Sequence, residues 1–365
     1  MKRVCLFVEN LAKQGGEERM CVTLANMLVD AGCYVMVVDQ ERPYLKSPLY
    51  KLSSKTHSWI LNGCRLERIF ARTPFLKQLS LLKYKMILAI CRIDVVIDVD
   101  IHRSLFTSKA VSGKNIKIIS WDHFNYDRFI ARPTRQVLHD CFIDHVDKLV
   151  VLSKSDLRAY VEREGLPRQM MAQIYNPSPI QCNTLTSHKG SHKILAVGRL
   201  SWEKGFDRLI EAWRLVEQKG VDDWELEIVG DGPMRKDLIE QIKRNQLQRV
   251  SILPFTDYIK EKYEEAAFLV ITSVFEGFSL AMVEALTMSL PVISFHLTGP
   301  DEIIVDGENG FLVEQGNIEA LADKILYLMD NDQKREEMGR SAFHSSSQFR
   351  FENISSQWVS LIESL

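Results

Sequence analysis

The sequence lacks a long hydrophobic run, a cleavage site for a signal peptide and any low-complexity tract. No apolar stretch reaches the roughly 18 residues that a membrane-spanning helix needs. Two positive charges and a short apolar run open the sequence, but the run stops at Glu9 and no small-residue cleavage motif follows. It therefore predicts a buried first strand. These absences argue against an integral membrane protein and favour a globular one.

Paired cysteine motifs are absent as well. The cysteines are odd in number and contain no Cys-x-x-Cys pair, a pattern that argues against a zinc site or a disulfide framework. We expect reduced core thiols of a cytoplasmic protein. The seven positions are Cys5, Cys21, Cys33, Cys64, Cys91, Cys141 and Cys182.

The pattern that is present alternates short apolar runs with amphipathic stretches, which is typical of parallel sheets covered by helices. At 365 residues the chain exceeds the size of one hydrophobic core, so we predict two α/β domains, at 1–180 and 193–345. A polar stretch without periodicity at 181–192, just after two prolines, is the predicted linker. Strands are predicted at 4–8, 34–39, 95–99, 117–121, 148–152, 193–197, 225–229, 250–253, 268–272 and 292–295.

Charge is distributed unevenly along the chain. Residues 1–185 carry 27 basic and 18 acidic side chains, a net charge of +9, whereas the remainder carries −11. The densest basic segment, 65–92, also contains regularly placed apolar residues. It predicts either an amphipathic helix at a membrane surface or a solvated helix whose apolar side packs on its own sheet. No motif that reads nucleic acid accompanies the basic residues, so we expect no nucleic-acid partner.

The strongest local signal is the stretch Phe275-Glu276-Gly277-Phe278-Ser279-Leu280, which follows a predicted strand and opens a helix. A glycine at such a turn lets the backbone approach a ligand, and the first N–H groups of the helix favour an anion such as a diphosphate. Glu276 and, further along the helix, Glu284 are natural acceptors for sugar and ribose hydroxyls. The alternative is an ordinary capped helix with two incidental glutamates.

A second loop strengthens the first interpretation. Arg199 and Lys204 follow the predicted strand 193–197 and are flanked by Gly198 and Gly205. Two cations on a glycine-flanked loop suit a pyrophosphate leaving group, whose negative charge grows as its bond to a sugar breaks.

Further motifs occur in a fixed order in the second half. They are the Glu276 to Glu284 spacing (E-x7-E), Gly198-Arg199-Leu200 with Lys204-Gly205, Gly230-Asp231-Gly232-Pro233, Glu302-Ile303-Ile304 with Asp306-Gly307, and Asn309-Gly310-Phe311-Leu312-Val313. With them, the sequence resembles the family 4 retaining glycosyltransferases of GT-B fold, over nearly the whole chain. The stretch from Leu297 to Ile304 resembles the branch of the family that builds bacterial surface polysaccharides.

The resemblance implies an architecture and a set of roles. It implies two Rossmann-like domains facing across a cleft, an N-terminal domain that binds the acceptor and a C-terminal helix at 346–365 that packs back toward that domain. Arg199 and Lys204 would bind the donor diphosphate, Glu284 the ribose and Glu276 the sugar hydroxyls. Backbone amides near Gly277, Phe278, Ser279 and Leu280 would approach the sugar or the phosphate.

Three positions in the first half also match the family. Gly15 and Gly16 match its glycine loop, which closes over the diphosphate, although a tight turn is the alternative. His123 follows a predicted strand and matches the active-site histidine near the transferred sugar, with core or surface packing as the alternative. Asp122 beside it is a weaker candidate for contact with the acceptor.

The pair Asp98 and Asp100 copies the acidic metal-binding pair of the other major glycosyltransferase fold. Because the pair ends a buried strand and Arg199 with Lys204 already supplies positive charge, we predict no metal and no cofactor.

We therefore expect transfer, with retention, of a hexosyl or N-acetylhexosaminyl group from a nucleoside diphosphate sugar, with UDP favoured, to a hydroxyl. The expected acceptor is a glycan or a lipid-linked saccharide, and the expected location is the cytoplasm, at the inner face of the plasma membrane. The alternatives are a sugar-nucleotide epimerase of the same fold and a non-catalytic glycan-binding protein.

Overall fold

The computed structural model of the protein describes residues 2–64, 73–221 and 223–365. The chain divides into two compact units. The first combines Met1–Pro177 with Phe351–Leu365, and the second is Ser178–Arg350. Within the described residues, every helix is too short or too polar to span a bilayer.

The first unit is built on a seven-stranded sheet in the order β3-β2-β1-β4-β5-β6-β7, and the strands pair in parallel. The central strands are almost entirely buried, as in sheets covered by helices on both faces. The strands are β1 (Arg3–Val8), β2 (Tyr34–Asp39), β3 (His57–Ile60), β4 (Val95–Val99), β5 (Lys117–Trp121), β6 (Lys148–Val151) and β7 (Met171–Gln173).

Helices from both ends of the chain cover this sheet. They are α1 (Gly16–Asp30), α2 (Pro74–Ile90), α3 (Ser104–Val111), α4 (Tyr126–Ile130), α5 (Arg135–His145), α6 (Lys154–Glu162) and, from the end of the sequence, α14 (Phe351–Glu363). Short 3₁₀ turns occur at Ile101–Arg103 and Arg168–Met170. Trp358 of α14 packs edge-on against Trp121 of β5, with 5.0 Å between the ring centroids.

The second unit repeats the design with a six-stranded sheet in the order β10-β9-β8-β11-β12-β13 and parallel pairing. Its strands are β8 (Lys193–Val197), β9 (Glu225–Val229), β10 (Val250–Leu253), β11 (Phe268–Ile271), β12 (Val292–Phe295) and β13 (Gly310–Val313). Its helices are α7 (Phe206–Glu217), α8 (Arg235–Arg244), α9 (Ile259–Glu265), α10 (Leu280–Thr287), α11 (Pro300–Ile303), α12 (Ile318–Asp330) and α13 (Asp332–Ser345), with 3₁₀ turns at Trp202–Lys204 and Ser346–Phe349.

The predicted pair of parallel-sheet α/β domains is confirmed. The structure places residues 181–192, the predicted linker, in the second unit, where the Thr186 amide donates to Ser289 Oγ at 3.1 Å. The expectation of seven core thiols was wrong in part. All seven cysteines are free, but Cys64 is exposed, and Cys33 and Cys182 are half-buried because they lie outside the strands and the buried helix faces.

Candidate active site

Glycines bring several loops together at the carboxyl edge of the second sheet. A Cβ atom at Gly205 would lie 2.1 Å from the carbonyl oxygen of Thr272, and one at Gly230 would lie 1.9 Å from that of Gly198. Gly205 also has a left-handed backbone, with φ of +63°. Because no larger residue fits these contacts, the loops after β8, β9 and β11 form one continuous surface.

Lys204 and Glu276 meet on this surface. Lys204 Nζ lies 2.7 Å from Glu276 Oε2, and Ser273 Oγ donates to the same oxygen at 3.0 Å. The pair is largely buried, since the side chains of Lys204 and Glu276 are only 27% and 10% exposed. Both hydrogen bonds that the structure describes fall on Oε2, so Oε1 remains positioned to accept a hydroxyl.

Arg199 adds a second positive charge to the loop after β8, where its side chain is exposed. Burial opposes ionisation of the nearby Glu203, but a hydrogen bond from Ser201 and the charges of Lys204 and Arg199 lower the pKa of Glu203. The loop therefore carries a positive potential that suits an anionic ligand.

The loop after β11 leads into α10 as the sequence predicts. Ser279 caps the helix by accepting from the Met282 amide at 3.4 Å, and Leu280 is its first residue. A Cβ atom at Gly299 would lie 2.6 Å from the carbonyl oxygen of Gly277, so the loop after β12 packs closely here. Phe278 is buried and packs edge-on against Phe349. The first N–H groups of a helix have no partner within the helix, and this helix begins at the same edge of the sheet.

Glu284 is buried on α10 and accepts a hydrogen bond from Tyr263 Oη at 2.8 Å. The ring of Tyr263 is fully buried in the second unit. The sequence reasoning missed this tyrosine, because it lies on a different helix, α9, and no local spacing links the two positions.

The sequence reasoning also missed an aromatic pair beside the charges. Trp202 and Phe275 form an edge-on contact with 5.6 Å between ring centroids, and both rings are exposed. Trp202 lies just before Lys204, and Phe275 immediately precedes Glu276. An aromatic residue one or two positions before each charged residue was the available signal.

The first unit holds the remaining candidates. The ring of His123 packs against Trp121 at a tilt of 45°, with 4.1 Å between the ring centroids, and its Nε2 atom is buried without a hydrogen-bond partner among the described residues. Burial lowers the pKa of His123 to about 4, so the ring is neutral near pH 7. Asp122 is buried and accepts from Tyr160 Oη at 2.7 Å and from the Phe124 amide at 3.0 Å, which directs its carboxylate into the core.

Gly15 and Gly16 lie at the start of α1, as the glycine-loop prediction requires. A Cβ atom at Gly15 would lie 2.3 Å from Glu18 Oε2, so the carboxylate of Glu18 fills that space. Burial raises the pKa of the adjacent Glu17 to about 8, with further contributions from Asp100 and Glu18. The sequence reasoning had not selected Glu17, which is an ordinary first-turn acid by pattern.

The acidic pair at the end of β4, Asp98 and Asp100, is split between two environments. Asp98 is fully buried and accepts from Thr107 Oγ1 at 2.6 Å and Ser104 Oγ at 2.8 Å. Asp100 follows the strand with a left-handed backbone, φ +89°, and accepts from the His102 amide at 2.7 Å. The two carboxylates accept hydrogen bonds from different residues, so they do not form one shared set of metal ligands.

The chain is similar to known glycosyltransferases. Residues 181–345 match the model of the family described as Glycosyl transferases group 1. The chain is 26% identical to an amylovoran biosynthesis glycosyltransferase of Erwinia amylovora, across 99% of this chain and 100% of that protein.

A second relative, from Campylobacter jejuni, is 24% identical across 99% of this chain and 98% of its own length. It is an alpha-1,4-N-acetyl-D-galactosaminyltransferase whose name gives its acceptor as GalNAc-alpha-(1->4)-GalNAc-alpha-(1->3)-diNAcBac-PP-undecaprenol.

Among solved structures, S. aureus TarM in complex with Fondaparinux, alpha-GlcNAc-glycerol and UDP superposes with a TM-score of 0.82. That similarity covers 99% of this chain and 100% of TarM at 16% identity, and it shows the shared GT-B fold.

These comparisons identify the chain as an enzyme, a glycosyltransferase of GT-B fold.

Proposed function

We propose that this glycosyltransferase is a family 4 retaining enzyme that transfers a hexosyl or N-acetylhexosaminyl group from a UDP-sugar to a hydroxyl of a glycan or a lipid-linked saccharide. The observation that carries the proposal is the Lys204–Glu276 pair on the glycine-lined edge of the second sheet. It lies within the part of the chain that matches the glycosyltransferase family. UDP is favoured because it is the nucleotide in the TarM complex.

Each part of the donor would bind a different group on this edge of the sheet. The diphosphate binds Lys204 and Arg199 and the N–H groups at the start of α10, Glu284 accepts from the ribose, and Glu276 accepts from a sugar hydroxyl through Oε1. As the bond between the anomeric carbon and the phosphate oxygen breaks, negative charge grows on the diphosphate. Two fixed cations stabilise that charge more in the transition state than in the ground state.

The acceptor hydroxyl would attack the anomeric carbon on the face that the diphosphate leaves. The bond from the acceptor oxygen forms, the bond to the phosphate oxygen breaks, and the hydroxyl proton passes to the leaving phosphate. This sequence retains the configuration without a covalent intermediate. Neutral His123 would accept or donate a hydrogen bond near the sugar, and no metal ion takes part.

The pathway proposed is assembly of a bacterial surface polysaccharide, at the inner face of the plasma membrane and in contact with it through the segment 65–92. The names of the two relatives support it, since one enzyme belongs to amylovoran biosynthesis and the other extends an undecaprenol-linked saccharide.

The first test is a screen of nucleotide sugars for protection against thermal unfolding. A ligand at about 100 times its Kd stabilises by about 2.7 kcal/mol. The protective sugar nucleotide is then incubated with acceptor glycans, and the anomeric configuration of the product is read by NMR. An inverted product would contradict retention, and an epimerised donor formed without acceptor would favour the epimerase instead.

Variants then test the assignment of the cations. Arg199→Ala and Lys204→Ala should each slow transfer by on the order of 100-fold, by analogy with other lost transition-state donors. Arg244→Ala, which removes an exposed charge from the end of α8, is the matched control and should leave transfer unchanged. Activity should also persist in EDTA, and loss in EDTA with recovery on adding manganese would contradict a metal-free mechanism.

A further inference from the structure

The first sheet has its own candidate site for a ligand, at the carboxyl ends of its strands. The strand order β3-β2-β1-β4-β5-β6-β7 changes direction between β1 and β4, and open parallel sheets bind ligands beside such a change. The loop after β4 begins at Asp100, and the loop after β5 contains His123 and Phe124. These two loops therefore lie where a ligand of the first unit is expected.

Two arginines share one aromatic ring at this edge. Arg128 and Arg132 each place a guanidinium group over Phe124, with 5.5 Å and 5.3 Å between the Cζ atom and the ring centroid. Two like charges so close to one ring repel each other, and an anion near both would offset that repulsion. Residues 65–72 of the predicted basic segment lie outside the described residues, so the cations of this edge are a separate group.

A carboxylate neutralises the next arginine along the chain but not these two. Arg135 Nη2 lies 2.6 Å from Glu164 Oε2. Within the residues that the structure describes, neither Arg128 nor Arg132 forms an ion pair. The two guanidinium groups over Phe124 therefore remain available to an anionic ligand.

His102 holds Arg132 in place at this edge. Arg132 Nη1 lies 3.1 Å from His102 Nε2. Thr134 Oγ1 lies 3.1 Å from the same nitrogen, and Asp100 Oδ1 lies 3.1 Å from Nδ1, so the ring is held from both sides. Arg132 is half-buried, whereas Arg128 is exposed. A guanidinium group that is fixed before binding loses less side-chain entropy when it meets an anion.

The nearby acids do not cancel this positive charge. Burial opposes ionisation of Asp100, but hydrogen bonds from His102 and the charges of His102 and Arg132 lower the pKa of Asp100. Burial raises the pKa of Glu17 to about 8, with a further contribution from Asp100, so Glu17 is largely neutral near pH 7. Two guanidinium groups and one ionised carboxylate leave a net positive charge. We call this group the arginine cluster; it consists of Asp100, His102, Phe124, Arg128 and Arg132.

We propose that the arginine cluster binds an oxyanion of the acceptor saccharide, a carboxylate or a phosphate, so that the enzyme prefers acidic acceptors to neutral ones. The forked N–H donors of a guanidinium group match the oxygens of either anion. Phe124 directly follows His123, which is proposed above to lie near the transferred sugar. The acidic group therefore belongs to the sugar that accepts the transfer or to its neighbour.

This inference rests on the proposed transfer reaction and adds the class of acceptor. Binding of an acidic sugar is measured without nucleotide sugar, and binding of UDP is measured separately. A protein that binds UDP but shows no preference for acidic sugars would overturn this inference alone. A protein that prefers acidic sugars but binds no nucleotide sugar would overturn the proposed reaction and leave the oxyanion site intact.

The experiment is titration of the full chain with three glycosides that differ only at C6, followed by saturation-transfer NMR. The probes are methyl α-D-glucoside, methyl α-D-glucuronide and methyl α-D-glucoside 6-phosphate, which carry a hydroxyl, a carboxylate and a phosphate at that end. We expect at least one acidic probe to bind about tenfold more tightly than the neutral one, because a hydrogen bond to a charged group contributes at least that factor. The acidic probe that binds more tightly identifies the oxyanion as carboxylate or phosphate.

Variants of the two arginines test which side chains produce the preference. Arg128→Gln with Arg132→Gln should abolish it, and Arg128→Gln alone, which changes an exposed side chain, should lower it by about threefold. Arg158→Gln with Arg163→Gln is the matched control, because it removes two exposed arginines of the same unit, on α6 and just after it. The control should keep the full preference.

A further variant separates this site from the proposed diphosphate site. Arg199→Ala with Lys204→Ala should keep the preference for an acidic probe. Loss of the preference in that variant would place the anion at the edge of the second sheet and overturn the proposal. Equal binding of all three probes by wild type, or a preference that survives Arg128→Gln with Arg132→Gln, would overturn it as well.

Discussion

At the scale of single residues, the site is held by charges that already satisfy one another. Lys204 Nζ and Ser273 Oγ both donate to Glu276 Oε2, so the carboxylate and the ammonium are fixed before a ligand arrives. Removing one member of a largely buried pair leaves the other uncompensated, which is usually more damaging than losing both. The same contact therefore fixes the direction of the Lys204 ammonium on the edge of the sheet where we propose that the diphosphate binds.

Tyr263 allows a test of whether a hydrogen bond from a neighbouring side chain holds a site residue in place. Its hydroxyl donates to Glu284 Oε2 at 2.8 Å inside the second unit. Tyr263→Phe removes the bond and leaves the ring, so Glu284 should hold a ribose less well. We expect the Kd for UDP to rise about tenfold, because a hydrogen bond to a charged group contributes roughly 1.5–3 kcal/mol.

The discriminating measurement is calorimetry with UDP and with an analogue that lacks both ribose hydroxyls. Tyr263→Phe should weaken UDP and leave the analogue almost unaffected. Tyr258→Phe, which changes an exposed tyrosine just before the same helix, is the control. Equal weakening of both ligands would mean that Tyr263 supports the fold and does not act through Glu284.

Asp122 predicts a pH dependence of stability. Burial raises the pKa of its carboxyl to about 7, well above the value near 4 in an unfolded chain. The neutral form then contributes stability that is full below about pH 4 and is lost as the pH rises toward 7. Asp122→Asn, which cannot ionise and keeps one acceptor oxygen for the Phe124 amide, should gain on wild type by on the order of 3 kcal/mol between about pH 4.5 and pH 7.5. Urea unfolding of both proteins at the two pH values measures the difference, and a constant difference would show that the carboxyl is ionised in the fold.

At the scale of elements, strand-to-helix turns carry the functional groups, and close backbone contacts fix the turns. The turn from β8 to α7 passes through Gly205, which touches the Thr272 carbonyl of the loop after β11. A side chain there would separate the loop of Lys204 from the loop of Glu276.

Two glycines with similar backbone angles allow the cost of backbone strain to be measured apart from the cost of steric contact. Gly205→Ala and Gly220→Ala both place a side chain at positive φ, +63° and +78°, but only Gly205 has a neighbour within 4 Å. We expect Gly220→Ala to cost about 1 kcal/mol of unfolding free energy, from backbone strain alone. Gly205→Ala should cost about 3 kcal/mol or more, because the loops must also move apart. Thermal unfolding measures both, and equal losses would mean that the contact with Thr272 is easily relieved.

The elements that the sequence predicted and those it missed differ in where they lie. All ten predicted strands are present, with ends that differ by one residue at most, because buried parallel strands are continuous apolar runs. The three missed strands, β3, β7 and β13, all lie at sheet edges. Three of the four residues of β3 are exposed, and β7 has only three residues, so backbone pairing and not hydrophobic pattern defines these two strands.

The cap of α6 shows the same limit at a helix end. Ser153 caps the helix by accepting from the Asp156 amide, and the helix begins at Lys154. Two serines two residues apart fit the capping pattern equally well, and the path of the chain from β6 decides between them. Likewise, motifs brought out Lys204, Glu276 and Glu284, whereas Tyr263 and Ser273 depend on contacts that no motif records.

At the scale of the whole molecule, the first unit contains both Met1–Pro177 and Phe351–Leu365, and the second is one continuous stretch. The final helix is a structural part of the first unit, since Trp358 is buried against Trp121. Trp358→Ala should therefore destabilise the first unit by about 3–5 kcal/mol, as for other buried aromatic residues.

Hydrogen exchange read by mass spectrometry locates the effect of Trp358→Ala. Amides of β5 should lose protection while those of β8 and β11 keep theirs. Trp202→Ala removes an exposed tryptophan and should change neither set. Loss of protection in both sheets would show that the units unfold as one.

The return of the chain to its first unit sets an order of events during translation. A ribosome delivers all of Ser178–Arg350 before it delivers Phe351–Leu365. At about 5–20 residues per second, the first sheet waits on the order of ten seconds or more for its last helix. During that interval Trp121 lacks the ring that later covers it, and the nascent first unit is open to chaperones and to aggregation. The second unit has no such wait, because every residue it needs has been made by the time synthesis passes Arg350.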